Sequence, residues 1–397
     1  MIETNQVGTQ EFVRFCRLVG AQPSLCGNVG SGTARELRDW VEYCNFPGDS
    51  TWARQRAADG SPEPFGITYW GVGNENWGCG GSFSPEDYCT EFRRFASFLR
   101  GFGRPLFVVA CGPSGNAVDW TDRFFRKLNK DYWAFNNIHG FAAHYYCGTA
   151  GNATEYSVEQ WYQLIGQGLQ METLVVQQRA ALDAFDPQRR IGLIVDEWGT
   201  WHPVEKGSNP AFLYQQNSLR DAMVAATTLD IFNRQSDKVA MANIAQMVNV
   251  LQAMVLTKED QMLVTPTGYV YQMYAAHQGG EAVRLRVESN SVTFRCNGQE
   301  ESLPMLAGSA SLKGQALFLT LTNAHADQNA AVTVNISGGA VVQAGEASIL
   351  CGEIHAHNTF DRPEALTPQP FHLATAGSTL HLDLPPASII AAEIMIR

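Results

Sequence analysis

Short apolar runs alternate with amphipathic stretches through the first two thirds of the chain. Six runs rich in Ile, Val, Leu, Tyr and Trp have the length of buried strands, and stretches with apolar residues at helical spacing follow them. The predicted strands are residues 22–28, 67–75, 105–111, 139–146, 191–197 and 239–246. Repeated strand-then-helix units of this size favour a (β/α)8 barrel over a doubly wound sheet. Because six units fall short of eight, we expect the first two to be absent from this chain.

Helix start signals support this alternation. Residues 33–36 (TARE) and 157–160 (SVEQ) have the capping-box pattern, and the Ser-Pro pair at 84–85 is typical of a helix N-terminus. Apolar spacing predicts further helices over residues 119–128 and 210–232. Each of these helices follows one of the predicted strands.

The pattern changes near residue 280. Short segments of alternating polarity are separated from there on by clusters of Gly, Asn, Asp and Pro, which is typical of an antiparallel β-sandwich. These segments are residues 282–287, 291–295, 316–322, 331–336 and 388–396. We therefore predict two domains, a catalytic barrel over residues 1–279 and a jelly-roll-like sandwich over residues 280–397.

Two glutamates end apolar runs of the barrel pattern. Glu75 closes the run that begins at residue 67, and Glu197 closes the run that begins at residue 191. A carboxylate at a strand end also serves as a helix cap or an ion-pair partner, and this is the commoner role for a single one. In a parallel barrel, however, the loops after the strands carry the chemistry, so both glutamates are expected at one rim. Two carboxylates facing each other there cleave glycosidic bonds.

Aromatic residues near both glutamates fit a sugar-binding site. Trp77, Trp198 and Trp201 provide flat apolar faces of the kind that stack on sugar rings. Asn74 directly precedes Glu75, and nearby glycines allow the backbone to approach closely.

Charge and composition exclude several classes of partner. The 397-residue chain carries a net charge of −11, which disfavours nucleic acid or an anionic membrane and suits a neutral polysaccharide. No apolar run has the length of a membrane span, and residues 1–5 lack the features of a signal peptide, so we expect a cytoplasmic protein unless a signal precedes this segment.

Cofactor motifs are absent from the sequence. None of the nine cysteines forms a Cys-x-x-Cys pair, and no histidine cluster has ligand spacing, so we expect no structural metal. The glycine-rich stretches match neither GxGxxG nor a Walker loop, so we expect no nucleotide and no other cofactor.

Several motifs together resemble the α-L-arabinofuranosidases of glycoside hydrolase family 51. The motifs are residues 26–33 (CGNVGSGT), 40–45 (WVEYCN), 69–81 (YWGVGNENWGCGG), 144–146 (HYY), 195–198 (VDEW) and 243–249 (NIAQMVN). They run through nearly the whole chain in the family's order. The resemblance implies a retaining exo-hydrolase that releases terminal arabinofuranosyl groups from arabinoxylan, arabinan or derived oligosaccharides.

The resemblance also implies roles for individual residues. Glu75 would be the general acid/base, with its pKa raised by the second carboxylate and by apolar surroundings, and Glu197 the nucleophile. Asn74 would bind the sugar 2-hydroxyl, Tyr146 would partner Glu197, and Gln246 would contact the sugar. On the residues alone, Tyr146 could also be an ordinary core tyrosine, and Gln246 could equally be a buried, hydrogen-bonded amide.

The chain departs from the family at its start. Family members carry a further N-terminal segment with the first sandwich strand and the first two barrel strands, so we expect this chain alone to be less soluble and less active than an extended one. The family resemblance implies a homo-oligomer, often a hexamer. Two alternatives stay open: a related retaining β-glycanase or xylosidase, and an inactive truncated homologue.

Overall fold

The computed structural model describes residues 5–338 and 342–397, and it divides them into two compact units. Unit 1 comprises the described residues up to 144 and residues 176–195, and unit 2 comprises residues 145–175 and the described residues from 196 onward. The borders of these units differ from the predicted domain boundary at residue 279, and that boundary stays a prediction. Residues 1–4, to which the signal-peptide prediction partly refers, and residues 339–341 lie outside the described residues.

Nine α-helices and nineteen strands are found in the described residues. The helices are α1 Thr9–Leu18, α2 Ala34–Asn45, α3 Thr51–Ala58, α4 Pro85–Ala96, α5 Val118–Leu128, α6 Tyr132–Phe135, α7 Val158–Asp183, α8 Leu219–Arg234 and α9 Pro266–Tyr274. The strands of the first part are β1 Ser24–Gly27, β2 Tyr69–Val72, β3 Phe107–Ala110, β4 Gly140–Gly148, β5 Gly192–Trp201, β6 Val239–Ile244, β7 Val255–Lys258 and β8 Gln261–Val264. The remaining strands are β9 Glu281–Val283, β10 Ser291–Cys296, β11 Gln299–Pro304, β12 Leu306–Lys313, β13 Ala316–Asn323, β14 Ala330–Asn335, β15 Val342–Cys351, β16 Gln369–Phe371, β17 Ala374–Ala376, β18 Thr379–Leu384 and β19 Ser388–Ile396.

All six strands predicted for the barrel are present, and they form one sheet in the order β1-β2-β3-β4-β5-β6. The pairings of β1 with β2, β2 with β3 and β3 with β4 are parallel. A sheet in which sequential parallel strands alternate with helices fits a TIM-like fold. In such a sheet the residues after the strands' carboxyl ends are the ones available for chemistry.

In unit 1, a buried tyrosine joins the first strands to their helices. The hydroxyl of Tyr88 on α4 donates to the carbonyl of Val72 at 2.5 Å and accepts from the backbone N–H of Cys111 at 2.7 Å. Tyr88 is fully buried, so both hydrogen bonds are shielded from water. This side chain therefore fixes the end of β2 and the residue just after β3 to the same helix.

The helix start signals gave the correct N-termini in most places. Helix α2 begins after Thr33, whose hydroxyl accepts from the backbone N–H of Glu36, and α4 begins at Pro85. The helix predicted over residues 210–232 is different, because only a short 3-10 turn forms at Pro210–Phe212. The main helix α8 begins later, where Ser218 and Asp221 form a capping box. Proline supplied a start signal that the chain uses for a single turn.

In unit 2, the C-terminal strands form antiparallel sheets. A six-stranded sheet has the order β16-β15-β19-β13-β12-β9, a three-stranded sheet has the order β14-β18-β17, and β10 pairs with β11. All five alternating segments predicted after residue 280 contain a strand, so the prediction of antiparallel structure is confirmed. The stacking of these sheets as a sandwich stays a prediction.

A buried carboxylate connects α8 to two strands of the six-stranded sheet. Asp230 accepts from the hydroxyls of Ser309 on β12 at 2.7 Å and Thr320 on β13 at 2.6 Å, and from Tyr274 on α9 at 3.1 Å. Burial raises the pKa of Asp230 to about 6, although these hydroxyls act in the opposite direction. Because burial outweighs the hydroxyl contacts, the folded state favours the protonated carboxyl more than the unfolded chain does.

None of the helices in the described ranges has both the length and the apolar composition that crossing a lipid bilayer requires.

The raised pKa of Asp230 makes stability depend on pH. Because the folded pKa lies above the unfolded one, the folded state binds more protons, and this contribution is full below the unfolded pKa and is lost as the pH rises through about 6. We expect the free energy of unfolding of the wild type, relative to Asp230→Asn, to fall by about 1 kcal/mol between about pH 5 and pH 7.5. Urea unfolding at both pH values measures this, with the exposed Asp361→Asn as control. An equal difference at both pH values would contradict the raised pKa.

Candidate active site

Glu75 lies in a tight loop three residues beyond the end of β2. Its backbone has the left-handed conformation, with φ of +46°, which is uncommon for a residue other than glycine. The carbonyl of Glu75 accepts from the backbone N–H groups of Gly78 at 2.8 Å and Gly80 at 3.0 Å. A side chain at Gly80 would place its Cβ 1.9 Å from the carbonyl oxygen of Asn74, so only glycine fits there. Strained backbone of this kind is found at functional sites, where the surrounding structure maintains it.

The carboxylate of Glu75 has two hydrogen-bond donors within unit 1. Nδ1 of His144 lies 3.0 Å from Oε1, and the thiol of Cys79 donates to Oε2 at 3.1 Å. His144 is 6% exposed and Glu75 is 22% exposed, so the contact is screened from solvent only in part. Both oxygens of the carboxylate are therefore engaged.

These donors set the protonation of Glu75. The hydrogen bond from His144 lowers the pKa of Glu75 most, burial acts in the opposite direction, and the thiol of Cys79 lowers the pKa further. Our expectation of a raised pKa was therefore wrong. The sequence placed apolar residues around Glu75, but it did not show the two donors that favour its ionised form.

His144 is held in place by its own backbone as well as by its burial. Its carbonyl accepts from the backbone N–H of Gly115 at 2.8 Å, and Ser114 and His144 form an isolated parallel bridge beyond the end of β3. Because the residue is buried, its ring has little freedom to turn away from Glu75. This agrees with a role in orienting its neighbour.

In unit 2, Glu197 is partnered by Tyr146. The hydroxyl of Tyr146 donates to Oε2 of Glu197 at 2.8 Å, and the tyrosine ring packs edge-on against Trp201 with the ring centroids 5.0 Å apart. Glu197 lies inside β5 and does not end it, because the strand continues to Trp201. A carboxylate on a strand has less backbone freedom than one in a loop.

A buried polar network joins β5 to the start of α8. The carboxylate of Asp221 accepts from the hydroxyl of Thr200 at 2.6 Å and from the backbone N–H of Ser218 at 2.8 Å, and Nε2 of His202 lies 2.8 Å away. Burial alone would raise the pKa of Asp221, yet the nearby His202 holds it below the usual value. Asp221 is fully buried, so its ionised form depends on these partners.

Gln252 ties the segment after β6 to the same network. Its side-chain oxygen accepts from the backbone N–H of Thr200 at 2.8 Å, and its amide donates to the carbonyl of Asp221 at 2.7 Å. The backbone N–H of Gln252 donates to Ala245 at 3.0 Å, and Ala245 in turn donates to the carbonyl of Trp198 at 2.9 Å. Gln246 follows Ala245 directly and is exposed, so its position in the chain is set by the hydrogen bond between Ala245 and β5.

The structure distinguishes the aromatic residues that the sequence grouped together. Trp198 is 1% exposed and packs against Phe232 and Tyr271, so it is a core residue and its prediction as a sugar contact is not supported. Trp201 is 42% exposed, and Trp77 is partly exposed. A strand alternates its faces, so Trp198 next to Glu197 points to the opposite side.

The sequence analysis missed two residues around Glu75, namely Cys79 and Asn76. Cys79 was not predicted, although its position between two glycines of the Glu75 loop is visible in the sequence. Asn76 is buried, and its side-chain amide donates to the carbonyl of Gly80 at 2.7 Å, while its backbone N–H donates to the sulfur of Cys111 at 3.3 Å. Asn74, by contrast, was singled out from the sequence; it is exposed beside Glu75, and its contact with the sugar 2-hydroxyl stays a prediction.

Known proteins share both the sequence and the fold of this chain. Family models for the α-L-arabinofuranosidase 1 domain and the α-L-arabinofuranosidase C-terminal domain match residues 1–150 and 196–388. An intracellular exo-α-L-arabinofuranosidase of Bacteroides ovatus is 36% identical over 99% of this chain and 76% of its own length. The chain belongs to the α-L-arabinofuranosidases of glycoside hydrolase family 51. It is therefore a glycoside hydrolase.

Solved structures of the family agree with this assignment. The GH51 arabinofuranosidase of Xanthomonas axonopodis pv. citri matches with a TM-score of 0.93 and 36% identity, over 99% of this chain and 79% of that one. The Thermotoga maritima α-L-arabinofuranosidase in complex with arabinose matches with a TM-score of 0.85 and 25% identity, over 99% and 80% of the two chains. A probable α-L-arabinofuranosidase C of Aspergillus clavatus is 31% identical over 72% of this chain and 57% of its own length.

Replacing His144 tests the electrostatics of Glu75. Since the hydrogen bond from His144 is the largest influence lowering the pKa of Glu75, we expect that pKa to rise in His144→Ala. Carbon-13 NMR titration of the labelled glutamate carboxyls measures it, with Glu75→Gln identifying the signal. His381→Ala, which replaces an exposed histidine, is the control. An unchanged pKa in His144→Ala would show that the contact does not control Glu75.

Proposed function

We propose that this family 51 enzyme is a retaining, exo-acting α-L-arabinofuranosidase in which Glu75 is the general acid/base and Glu197 the nucleophile. The observation that carries the proposal is the different setting of the two carboxylates. Glu197 lies on a strand and accepts from the hydroxyl of Tyr146, whereas Glu75 lies in a loop and contacts His144 and Cys79. Two carboxylates with distinct partners can hold distinct protonation states, which double displacement requires.

In the first step, a carboxylate oxygen of Glu197 attacks the anomeric carbon of the terminal sugar. The bond from that carbon to the leaving oxygen breaks, and Glu75 transfers its proton to this oxygen. The product is an ester between the sugar and Glu197. Tyr146 orients the attacking carboxylate, and retaining chemistry requires the two carboxyl groups to lie about 5 to 5.5 Å apart.

In the second step, ionised Glu75 takes a proton from water, and the water oxygen attacks the same anomeric carbon. The ester breaks, the sugar leaves with its original configuration, and Glu75 is protonated again. The donors from His144 and Cys79 favour the ionised form of Glu75, which is the base that this step needs. The first step needs the protonated form, so proton uptake by Glu75 accompanies productive substrate binding.

Exposed residues near each carboxylate supply the sugar contacts. We assign Asn74 to the sugar 2-hydroxyl because it is exposed and adjacent to Glu75, and Gln246 to a second hydroxyl because it is exposed and placed by β5. Trp77 and Trp201 offer the remaining apolar surface. Trp198 is not included, because its ring is buried.

Arabinose-containing glycans are the proposed substrates, namely arabinoxylan, arabinan and oligosaccharides derived from them. The names of the Bacteroides ovatus and Thermotoga maritima relatives, an exo-arabinofuranosidase and an arabinose complex, support this class. Family resemblance further supports a homo-oligomer, of which a hexamer is one form, acting inside the cell as the Bacteroides relative does.

Variants of the two glutamates test their roles. Glu197→Ala should lose turnover of all arabinofuranosides, because no ester can form. Glu75→Ala should retain activity on an aryl arabinofuranoside with an activated leaving group and lose about a hundredfold or more on an unactivated one, because the leaving oxygen then needs a proton. Steady-state kinetics on both substrates measure this, with the exposed Glu63→Gln as control. Equal losses on both substrates in Glu75→Ala would contradict its role as the acid.

Substrate preference separates this proposal from the related retaining β-glycanase or xylosidase. We expect turnover of an aryl α-L-arabinofuranoside to exceed that of an aryl β-xyloside or aryl cellobioside by about a hundredfold or more in kcat/KM, because a site fitted to one pentose leaves polar groups unpaired with another. Parallel assays of the three substrates decide the matter. Preference for xyloside or cellobioside would favour the β-glycanase, and turnover of none would favour an inactive homologue.

A further inference from the structure

Three cysteine thiols contact the loop that carries Glu75. Cys26 on β1 donates to the carbonyl of Gly73 at 3.2 Å, and the sulfur of Cys111, just after β3, accepts from the backbone of Asn76 at 3.3 Å. Cys79 lies in the loop itself and reaches the carboxylate of Glu75. Cys26 and Cys111 therefore hold the backbone of the loop, and Cys79 differs from them because it acts on the side chain that does the chemistry.

Packing does not explain a cysteine at position 79. Cysteine is usually a small buried residue, and Cys111 follows that rule, but Cys79 is exposed. Its backbone neighbours Gly78 and Gly80 both donate to the carbonyl of Glu75. The position of the thiol is thus set by the same residue whose carboxylate it contacts.

We propose that Cys79 is a positioning residue for Glu75, whose thiol holds Oε2 while His144 holds Oε1, so that the carboxylate keeps one orientation between the two steps of the reaction. This inference rests on the proposed role of Glu75 as acid/base. A thiol that donates to a carboxylate makes a charge-assisted hydrogen bond, which is stronger with the ionised form than with the protonated one. Cys79 therefore favours the base and restrains its rotation.

Two titratable groups hydrogen-bond the Glu75 carboxylate within the described part of unit 1. They are His144 from β4 and Cys79 from the Glu75 loop, and both lower the pKa of Glu75. Because the basic limb of kcat/KM reports loss of the proton from the general acid, removing either donor should move that limb to higher pH. His144 is unchanged in a Cys79 variant, so any shift of the basic limb in that variant is due to loss of the thiol.

The test compares Cys79→Ala, Cys79→Val and Cys79→Ser with the wild type by the pH dependence of kcat/KM on an unactivated arabinofuranoside. Alanine and valine remove the donor, so we expect the basic limb at higher pH and kcat lower by about three- to tenfold. Serine keeps an O–H donor and should restore both toward the wild type. Cys351→Ala, which changes a partly exposed thiol in unit 2, should leave the profile unchanged.

Several outcomes would overturn the inference. Wild-type profiles for folded Cys79→Ala or Cys79→Val, or a Cys79→Ser that behaves like alanine, would remove Cys79 from the positioning role. Thermal melting shows which variants are folded. If either Cys79→Ala or Cys79→Val does not fold, the other still tests the loss of the donor. If Glu75→Ala loses activated and unactivated substrates equally, the acid/base assignment itself fails. If Glu75→Ala loses activity mainly on the unactivated substrate while Cys79→Ala keeps the wild-type pH profile and kcat, the acid/base assignment holds and only the role of Cys79 fails.

Discussion

The buried residue Asp221 makes the interactions on which the surroundings of Glu197, the proposed nucleophile, depend. It joins Thr200 and His202, at the end of the strand that carries Glu197, to Ser218 at the start of α8. Its backbone carbonyl also accepts from Gln252, which fixes the segment leading to Gln246. A buried charge of this kind is favourable only with all its partners present, and loss of one partner costs about 3 to 5 kcal/mol. The strand, the helix and the segment that carries the proposed sugar contact are thus all joined to one residue.

The two glutamates obtain their orientation in different ways. Glu197 takes it from a regular strand and a tyrosine hydroxyl, which suits its proposed role of attacking a carbon from a fixed direction. Glu75 takes it from a glycine-dependent loop and two side-chain donors, which suits its proposed role of giving and taking a proton. In each case the backbone places the residue and a polar side chain sets the angle of the carboxylate.

The fold was largely readable from the sequence because its signals are local. Apolar runs marked all six strands of the parallel sheet, and the capping box at Thr33 marked the start of α2. The start of α8 was misplaced because Pro210 gave a start signal earlier than the capping box at Ser218 that the helix actually uses. Helix α3 was missed because its apolar residues form no clear face.

The candidate site was only partly readable, for a physical reason. Glu75, Glu197 and Tyr146 follow from motif and strand position, and the last two share a hydrogen bond as expected. Trp198 could not be judged from the sequence, because a strand alternates its faces and the register alone decides which tryptophan is buried. The lowered pKa of Glu75 depends on His144 and Cys79, and only the folded loop brings these donors to one carboxylate.

The left-handed backbone at Glu75 means that stability and activity favour different residues at this position. A residue with a side chain pays about 1 kcal/mol to adopt that conformation, and glycine would adopt it with almost no steric cost. Glu75→Gly would thus relieve backbone strain while removing the proposed acid. Selection for thermal stability alone would therefore favour a residue here that lowers catalytic activity. A Glu75→Gly protein would therefore hold an intact glycan for longer than the wild type, because the change that slows cleavage of an unactivated substrate also relaxes the loop.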